Sequence, residues 1–210
     1  MENSATKIAA MLLDINAIQI NMQKPFIWAS GWHSPIYCDN RLSLSHPKVR
    51  TYIKSQIIET IQTAFCEAEA VVGVATAGIP QAAIVAEEME VPMLYVRPKP
   101  KGHGLTNLIE GNVVAGQKVI VIEDLISTGG SSVKAIQALR EAGCNVLGLI
   151  SIFTYGFPVS YSNFEKANIK FIPLTDYPTL LNVALSENRI NEKEIASLGE
   201  WREKPEAWGR

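Results

Sequence analysis

Apolar positions recur along this chain in two rhythms. In residues 4–16, Ile8, Met11, Leu12 and Ile15 share one stripe, which predicts an amphipathic helix with Ser4 as its cap. In residues 46–65, Val49, Ile53, Ile57, Ile61 and Phe65 return every four residues and Ile58 fills the stripe. That spacing predicts a long helix, with His46 at its start and Pro47 in the first turn, where a proline is tolerated. The second rhythm is a series of short, mostly apolar runs at residues 71–75, 93–97, 119–122, 146–153 and 170–174. Such runs predict strands buried on both faces. Helical spacing follows several of them, at 81–90 and 133–140, and closes the chain near 177–187 and 192–204. Residues 26–28 and 36–38 read as short extended pieces, and 109–114 as the arm that returns from a long loop. Gly143 fits a helix stop, and the run from Tyr155 to Pro158 a turn that ends a strand.

Repeated strand-turn-helix units imply an α/β fold with a mostly parallel central sheet flanked by helices. Ligand sites in such sheets lie beyond the carboxyl ends of the strands. A length of 210 residues fits one domain, and no internal repeat or long linker divides it. With 47% hydrophobic and 19% charged residues and a net charge of −2, the chain reads as a soluble protein without a basic face for nucleic acid. No stretch reaches the ~20 apolar residues of a membrane span, and the N-terminus is too polar for a signal peptide. Cys38, Cys66 and Cys144 are scattered without metal-ligand spacing, which suits reduced thiols in the cytoplasm. Cys66 and Cys144 read as small buried hydrophobes.

Candidate chemistry concentrates after the run at 119–122. Glu123 and Asp124 are expected where that strand leaves the sheet, followed by the hydroxyl and glycine run Ser127, Thr128, Gly129, Gly130, Ser131, Ser132. Such a run opening a helix offers backbone N–H groups to an anion. Two acids beside a phosphate cradle require a neutral or cationic partner, such as ribose hydroxyls or Mg²⁺, and a phosphorylated sugar satisfies both halves. Thr76, Ala77 and Gly78 form a second small-residue turn that could hold a second phosphate. Residues 98–107 have little to bury and hold Lys99, Lys101 and His103 among glycines and prolines, which predicts a basic lid. Asp39, Asn40 and Arg41 read as a solvated loop by composition.

The stretch from Val119 to Ser132 resembles the motif by which phosphoribosyltransferases bind phosphoribosyl pyrophosphate (PRPP). It is neither a P-loop nor a dinucleotide-binding turn. Together with Ser30-Gly31, Ser34-Pro35, Tyr37, Gly78-Ile79-Pro80, Arg97, Lys101, His103 and Gly104, it looks like the orotate phosphoribosyltransferases in their single-function bacterial form. The resemblance covers about residues 8 to 203. It implies the type I phosphoribosyltransferase fold, with a small hood (about 1–45 plus the C-terminal helices), a PRPP-binding core (about 46–175) and a flexible catalytic loop.

It also implies transfer of the phosphoribosyl group from PRPP to N1 of orotate, in pyrimidine (UMP) biosynthesis. Glu123 and Asp124 would hold the ribose hydroxyls. With Leu125 and Ile126 between, Ser127, Thr128, Gly129, Gly130 and Ser131 would hold the 5′-phosphate. Arg97, Lys101 and His103 would clamp pyrophosphate with the N–H groups of Thr76, Ala77 and Gly78. Lys101, His103 and Asp124 are the implied catalytic groups. Mg²⁺ would be carried mainly by PRPP. The family is dimeric, with the loop residues Lys101 and His103 acting in the neighbour's site. The best-known branch has lysines at the places of Ala29, Ala77 and Pro98 and an arginine near Tyr155. Their absence here assigns the orotate carboxylate to Arg41, with Tyr37, Asp39, Asn40 and Ser127 nearby. A phosphoribosyltransferase for another nucleobase, or a PRPP-sensing regulator, stays open at this point.

Overall fold

The computed structural model describes residues 3–28, 31–99 and 108–208. The chain forms two compact units, residues 1–50 with 175–210, and residues 51–174. In the first unit α1 (Ser4–Asp14) buries Ile8, Ala9, Leu12 and Leu13, as its stripe dictates. Its cap is Asn3, whose side chain accepts from Ala5 N, and not Ser4, which is the first helical residue. β1 (Ile18–Ile20), β2 (Phe26–Ile27), β3 (His33–Ser34) and β4 (Ile36–Cys38) form two small antiparallel ladders, β1 with β4 and β2 with β3. A 3₁₀ helix, Asn40–Ser45, follows with Asp39 as its cap, so the expected solvated loop is an ordered turn.

The second unit is built on the sheet. α2 (Pro47–Ala64) buries Ile53, Ile57 and Ile61. Next come β5 (Ala70–Val74), α3 (Gly78–Met89), β6 (Met93–Val96), β7 (Ile109–Glu110), β8 (Lys118–Ile126), α4 (Gly130–Glu141), β9 (Asn145–Thr154), α5 (Pro158–Lys166) and β10 (Phe171–Asp176). The six-stranded sheet has the order β10-β9-β8-β5-β6-β7. β5 pairs in parallel with β6 and β8, β8 in parallel with β9, and only the short β7 is antiparallel to its neighbour β6. Val119, Ile120, Val121 and Ile122 are all at 0% exposure, so each contributes roughly 1.5–3 kcal/mol of burial.

α6 (Tyr177–Ser186) and α7 (Glu192–Glu203) return to the first unit, capped by Asp176 and by an Asn191–Glu194 capping box. Trp201 is fully buried there, with its indole N–H on His33 O at 3.2 Å and an edge contact to Trp28. Tyr177 donates to Leu198 O, and burial pushes its phenol up.

Four further expectations are corrected. β8 does not end at Ile122 but runs on to Ile126 along β9, so Glu123 and Asp124 lie inside a strand. The turn from Tyr155 to Pro158 leads into α5, a helix the apolar spacing did not announce. Cys66 is exposed, whereas Cys144 is buried as expected. The returning arm at 109–114 is a strand only over Ile109–Glu110.

Candidate active site

The chain order of the strands reverses between β5 and β8. From β5 the sheet grows one way through β6 and the other way through β8, β9 and β10. A crevice opens at such a switch point beyond the carboxyl ends, and it is the preferred ligand site of a parallel sheet. β5 pairs with β8 only as far as Gly73 with Ile122, while β9 follows β8 to Thr154 with Ile126. Glu123 and Asp124 are therefore held by β9 on one side and have outrun β5 on the other.

The turn after β5 closes over that step. Gly78, the first residue of α3, lies against β8, where an added Cβ would stand 2.5 Å from Ile122 O. Thr76 is exposed and Ala77 half-buried beside it, and the Ala75–Thr76 peptide is cis. The turn after β8 is as tightly determined. Gly129 has φ +76°, and a Cβ there would meet the Phe164 ring at 2.7 Å. Ile126 O accepts from Tyr155 N at 3.1 Å and from the Thr154 hydroxyl at 3.3 Å, which ties the end of β8 to β9.

Both helices that open here start without a side-chain cap. Ala77 and Gly129 stand at the N-cap positions of α3 and α4, and neither makes a side-chain cap hydrogen bond. By contrast α1, α6 and α7 are capped by Asn3, Asp176 and Asn191. Uncapped first-turn N–H groups and the positive end of the helix dipole suit an anionic ligand, and two of them flank one crevice.

Between them sits the acid pair. Glu123 is 7% exposed; one carboxylate oxygen accepts from Asp124 N at 3.1 Å and the other from the Ser132 hydroxyl at 3.4 Å. Burial first, then the adjacent negative charge of Asp124, push the Glu123 carboxyl well above the usual range. Asp124 is half-buried. Such a pair suits sugar hydroxyls, which can be both donors and acceptors, better than it suits a second anion.

Arg97 leaves the end of β6 with its backbone N–H on Leu108 O at 2.8 Å and its guanidinium on Glu110 at 3.2 Å. Lys101 and His103 lie outside the described residues. Tyr37, Asp39, Asn40 and Arg41 belong to the first unit. Tyr37 is 40% exposed, whereas Asn40 is buried and accepts from the Cys38 thiol. Arg41 grips Asp39 through Nε at 2.6 Å and Nη2 at 2.8 Å, and that guanidinium holds the Asp39 carboxyl below the usual range. Among the described residues no three His, Cys, Asp or Glu side chains converge as a metal cluster.

The sequence pattern of the phosphoribosyl transferase domain matches residues 44–164. The orotate phosphoribosyltransferase of Cytophaga hutchinsonii is 50% identical over 206 residues, covering 98% of this chain and 99% of its own. The chain belongs to the orotate phosphoribosyltransferase family. Among solved structures, the orotate phosphoribosyltransferase from Aeropyrum pernix superposes with a TM-score of 0.74 at 28% identity, over 83% of this chain and 96% of that one. The Mycobacterium tuberculosis enzyme in complex with PRPP shares the fold, with a TM-score of 0.65 at 21% identity over 84% and 98% of the two chains.

Within this phosphoribosyltransferase fold, the crevice brings together Thr76, Ala77, Gly78, Glu123, Asp124 and the turn from Ser127 to Ser131, all picked out by residue type. Ser132, the last residue of the hydroxyl run, bonds Glu123. Two participants were missed. Asn163 donates to Thr128 O at 2.9 Å, and Phe164 packs under Gly129. No local signal links those two to a turn 35 residues earlier in the chain.

Proposed function

We propose that this chain transfers the 5-phosphoribosyl group of PRPP to N1 of orotate, releasing pyrophosphate and forming orotidine 5′-phosphate on the way to UMP. The observation that carries this reading is the acid pair set between two uncapped helix starts at the switch point, in a chain half identical to orotate phosphoribosyltransferases over nearly its whole length. The 5′-phosphate takes the N–H groups of the turn from Ser127 to Ser131. The ribose hydroxyls reach Glu123 and Asp124, with Glu123 able to donate from its protonated form. Pyrophosphate lies toward Thr76, Ala77, Gly78 and Arg97, and Lys101 and His103 complete its clamp.

As the bond between C1 and the pyrophosphate oxygen breaks, positive charge grows on the sugar and negative charge on the leaving group. The orotate N1 lone pair then forms the new bond to C1, and the N1 proton passes to a pyrophosphate oxygen or to solvent. Preorganised N–H groups and cations on the leaving oxygens supply the main stabilisation, and a closed loop excludes the water that would hydrolyse PRPP. Mg²⁺ belongs to this reading and would be held chiefly by PRPP oxygens. When bound, it would neutralise charge on the pyrophosphate. Orotate is assigned to Ser127 and to Arg41 with Tyr37, Asp39 and Asn40 nearby, in a homodimer whose loops act in trans.

A cytoplasmic setting suits three cysteines held as thiols, and no helix among the described residues is long and apolar enough to cross a membrane. The test is loss of orotate ultraviolet absorbance with PRPP and Mg²⁺, with adenine, hypoxanthine and uracil offered in parallel. Turnover of one of those bases in preference to orotate would overturn the choice of acceptor.

A further inference from the structure

The phosphate turn is held from beneath by α5. Asn163 Nδ2 donates to Thr128 O at 2.9 Å, and the Phe164 ring occupies the place a Cβ on Gly129 would need. α5 is itself tied to α4, because Arg140 donates from both terminal nitrogens to Ala167 O at 2.7 Å and Asn168 O at 3.0 Å, just past the end of α5. These contacts bear on one peptide plane. In a trans peptide the C=O and the following N–H point to opposite sides. With the Thr128 carbonyl drawn toward α5, the Gly129 N–H is turned away from it, to the open side of the turn. Gly129, in the left-handed region at φ +76° and without a side chain, could otherwise rotate this plane at little cost.

From this geometry we infer that Asn163 is a positioning residue for the phosphate turn: it fixes the Thr128–Gly129 peptide so that the Gly129 N–H faces the 5′-phosphate of the bound substrate. The inference rests on the proposed function for the identity of the ligand, and on the hydrogen bond and the packing for the role. Asn163 and Phe164 act on the turn itself, through the Thr128 carbonyl and the space beside Gly129. The loss on removing Asn163 therefore falls on phosphate affinity and not on the chemistry at C1.

The test uses the full-length protein with Asn163→Leu, which keeps the volume and removes the amide, and Asn163→Ala in case the leucine variant folds poorly. Dissociation constants for ribose 5-phosphate, the Michaelis constants for PRPP and orotate, and the melting temperature are compared with the unmodified chain. The expected result is roughly a tenfold weaker hold on ribose 5-phosphate and PRPP, about 1.4 kcal/mol, with the orotate constant within about twofold and the melting temperature nearly unmoved. Unchanged ribose 5-phosphate affinity in a folded variant overturns the role, as does an equal rise in both Michaelis constants. An unmodified chain that binds ribose 5-phosphate but consumes no orotate sinks the proposed acceptor and leaves the dissociation constants to judge Asn163. If it binds neither ribose 5-phosphate nor PRPP, both readings fall.

Discussion

Gly78 lies so close to Ile122 that a Cβ atom on it would stand 2.5 Å from the Ile122 carbonyl oxygen. Both partners are backbone, one at the start of α3 and the other one residue before Glu123. The contact sets the distance between the second turn and the acid pair. A side chain at Gly78 must push the helix start off the strand, since no flexible group can yield.

Gly78→Ala is therefore expected to cost about 1–3 kcal/mol, as overpacking does. In a protein of this size that lowers the melting temperature by roughly 2–4 °C per kcal/mol. The PRPP Michaelis constant should rise as well, because the N–H groups of the turn move with it. Gly199→Ala is the control: a Cβ at Gly199, inside α7, meets nothing within 4 Å. It should stabilise by about 0.5–1 kcal/mol, as alanine for glycine does inside a helix. Thermal melts of the two variants decide it, and equal melting temperatures would show that the close approach relaxes without cost.

Glu123 should make stability depend on pH in an unusual direction. Burial and the Asp124 charge raise its carboxyl in the folded state, so the folded chain binds that proton more tightly than the unfolded chain. Its contribution is then fully present below the ordinary carboxyl range and is lost as pH rises through the raised folded-state value. Each unit of that elevation is worth ~1.4 kcal/mol. Glu123→Gln cannot ionise and should lose this slope, so its advantage over the unmodified chain grows over the interval from the ordinary carboxyl range up to the raised folded-state value. Urea denaturation across that interval is the measurement. Parallel stability curves would mean that Glu123 is already charged throughout.

Arg41 and Asp39 form a two-toothed ion pair, with the Asp39 carboxyl held below its usual range by that guanidinium. The pair persists above the ordinary carboxylate range and is lost only as pH falls through the lowered value. If Arg41 receives the orotate carboxylate, Arg41→Ala raises the orotate Michaelis constant and leaves that for PRPP alone. Asp39→Asn should raise it too, by releasing the fork that aims the guanidinium. A change below about twofold for Arg41→Ala, less than ~0.5 kcal/mol, removes Arg41 from the site.

The long strands, the two small-residue turns and the acid pair were legible because each is a local signal: a run of β-branched residues, or hydroxyls and glycines where a helix begins. What escaped depends on neighbours far along the chain. β8 was expected to stop at Ile122, where the apolar run breaks, but β9 offers partners to Ile126, and backbone pairing outweighs the polarity of Glu123 and Asp124. α5 has few strong helix formers among Pro158, Val159, Ser160, Tyr161, Ser162 and Asn163, so propensity argued against it. Asn3 and Ser4 are both good caps, and type alone cannot choose between neighbours. The same limit hid Asn163, whose use is visible only once α5 is packed under the turn.

The proposed homodimer makes a prediction of its own. On the proposed reading Lys101→Ala removes a pyrophosphate cation and Asp124→Ala a ribose partner, so each variant alone should be nearly inactive. If a loop serves the neighbour's site, a mixed dimer gathers both lesions in one site and leaves the other with Lys101 from one chain and Asp124 from the other. Random mixing in equal amounts makes half the dimers mixed with one good site in two, so about a quarter of the full activity should return. If the loop serves its own chain, every site in the mixture keeps a lesion. Co-purification through two different tags isolates the mixed dimers, and inactivity of that fraction would place the loop in its own subunit's site.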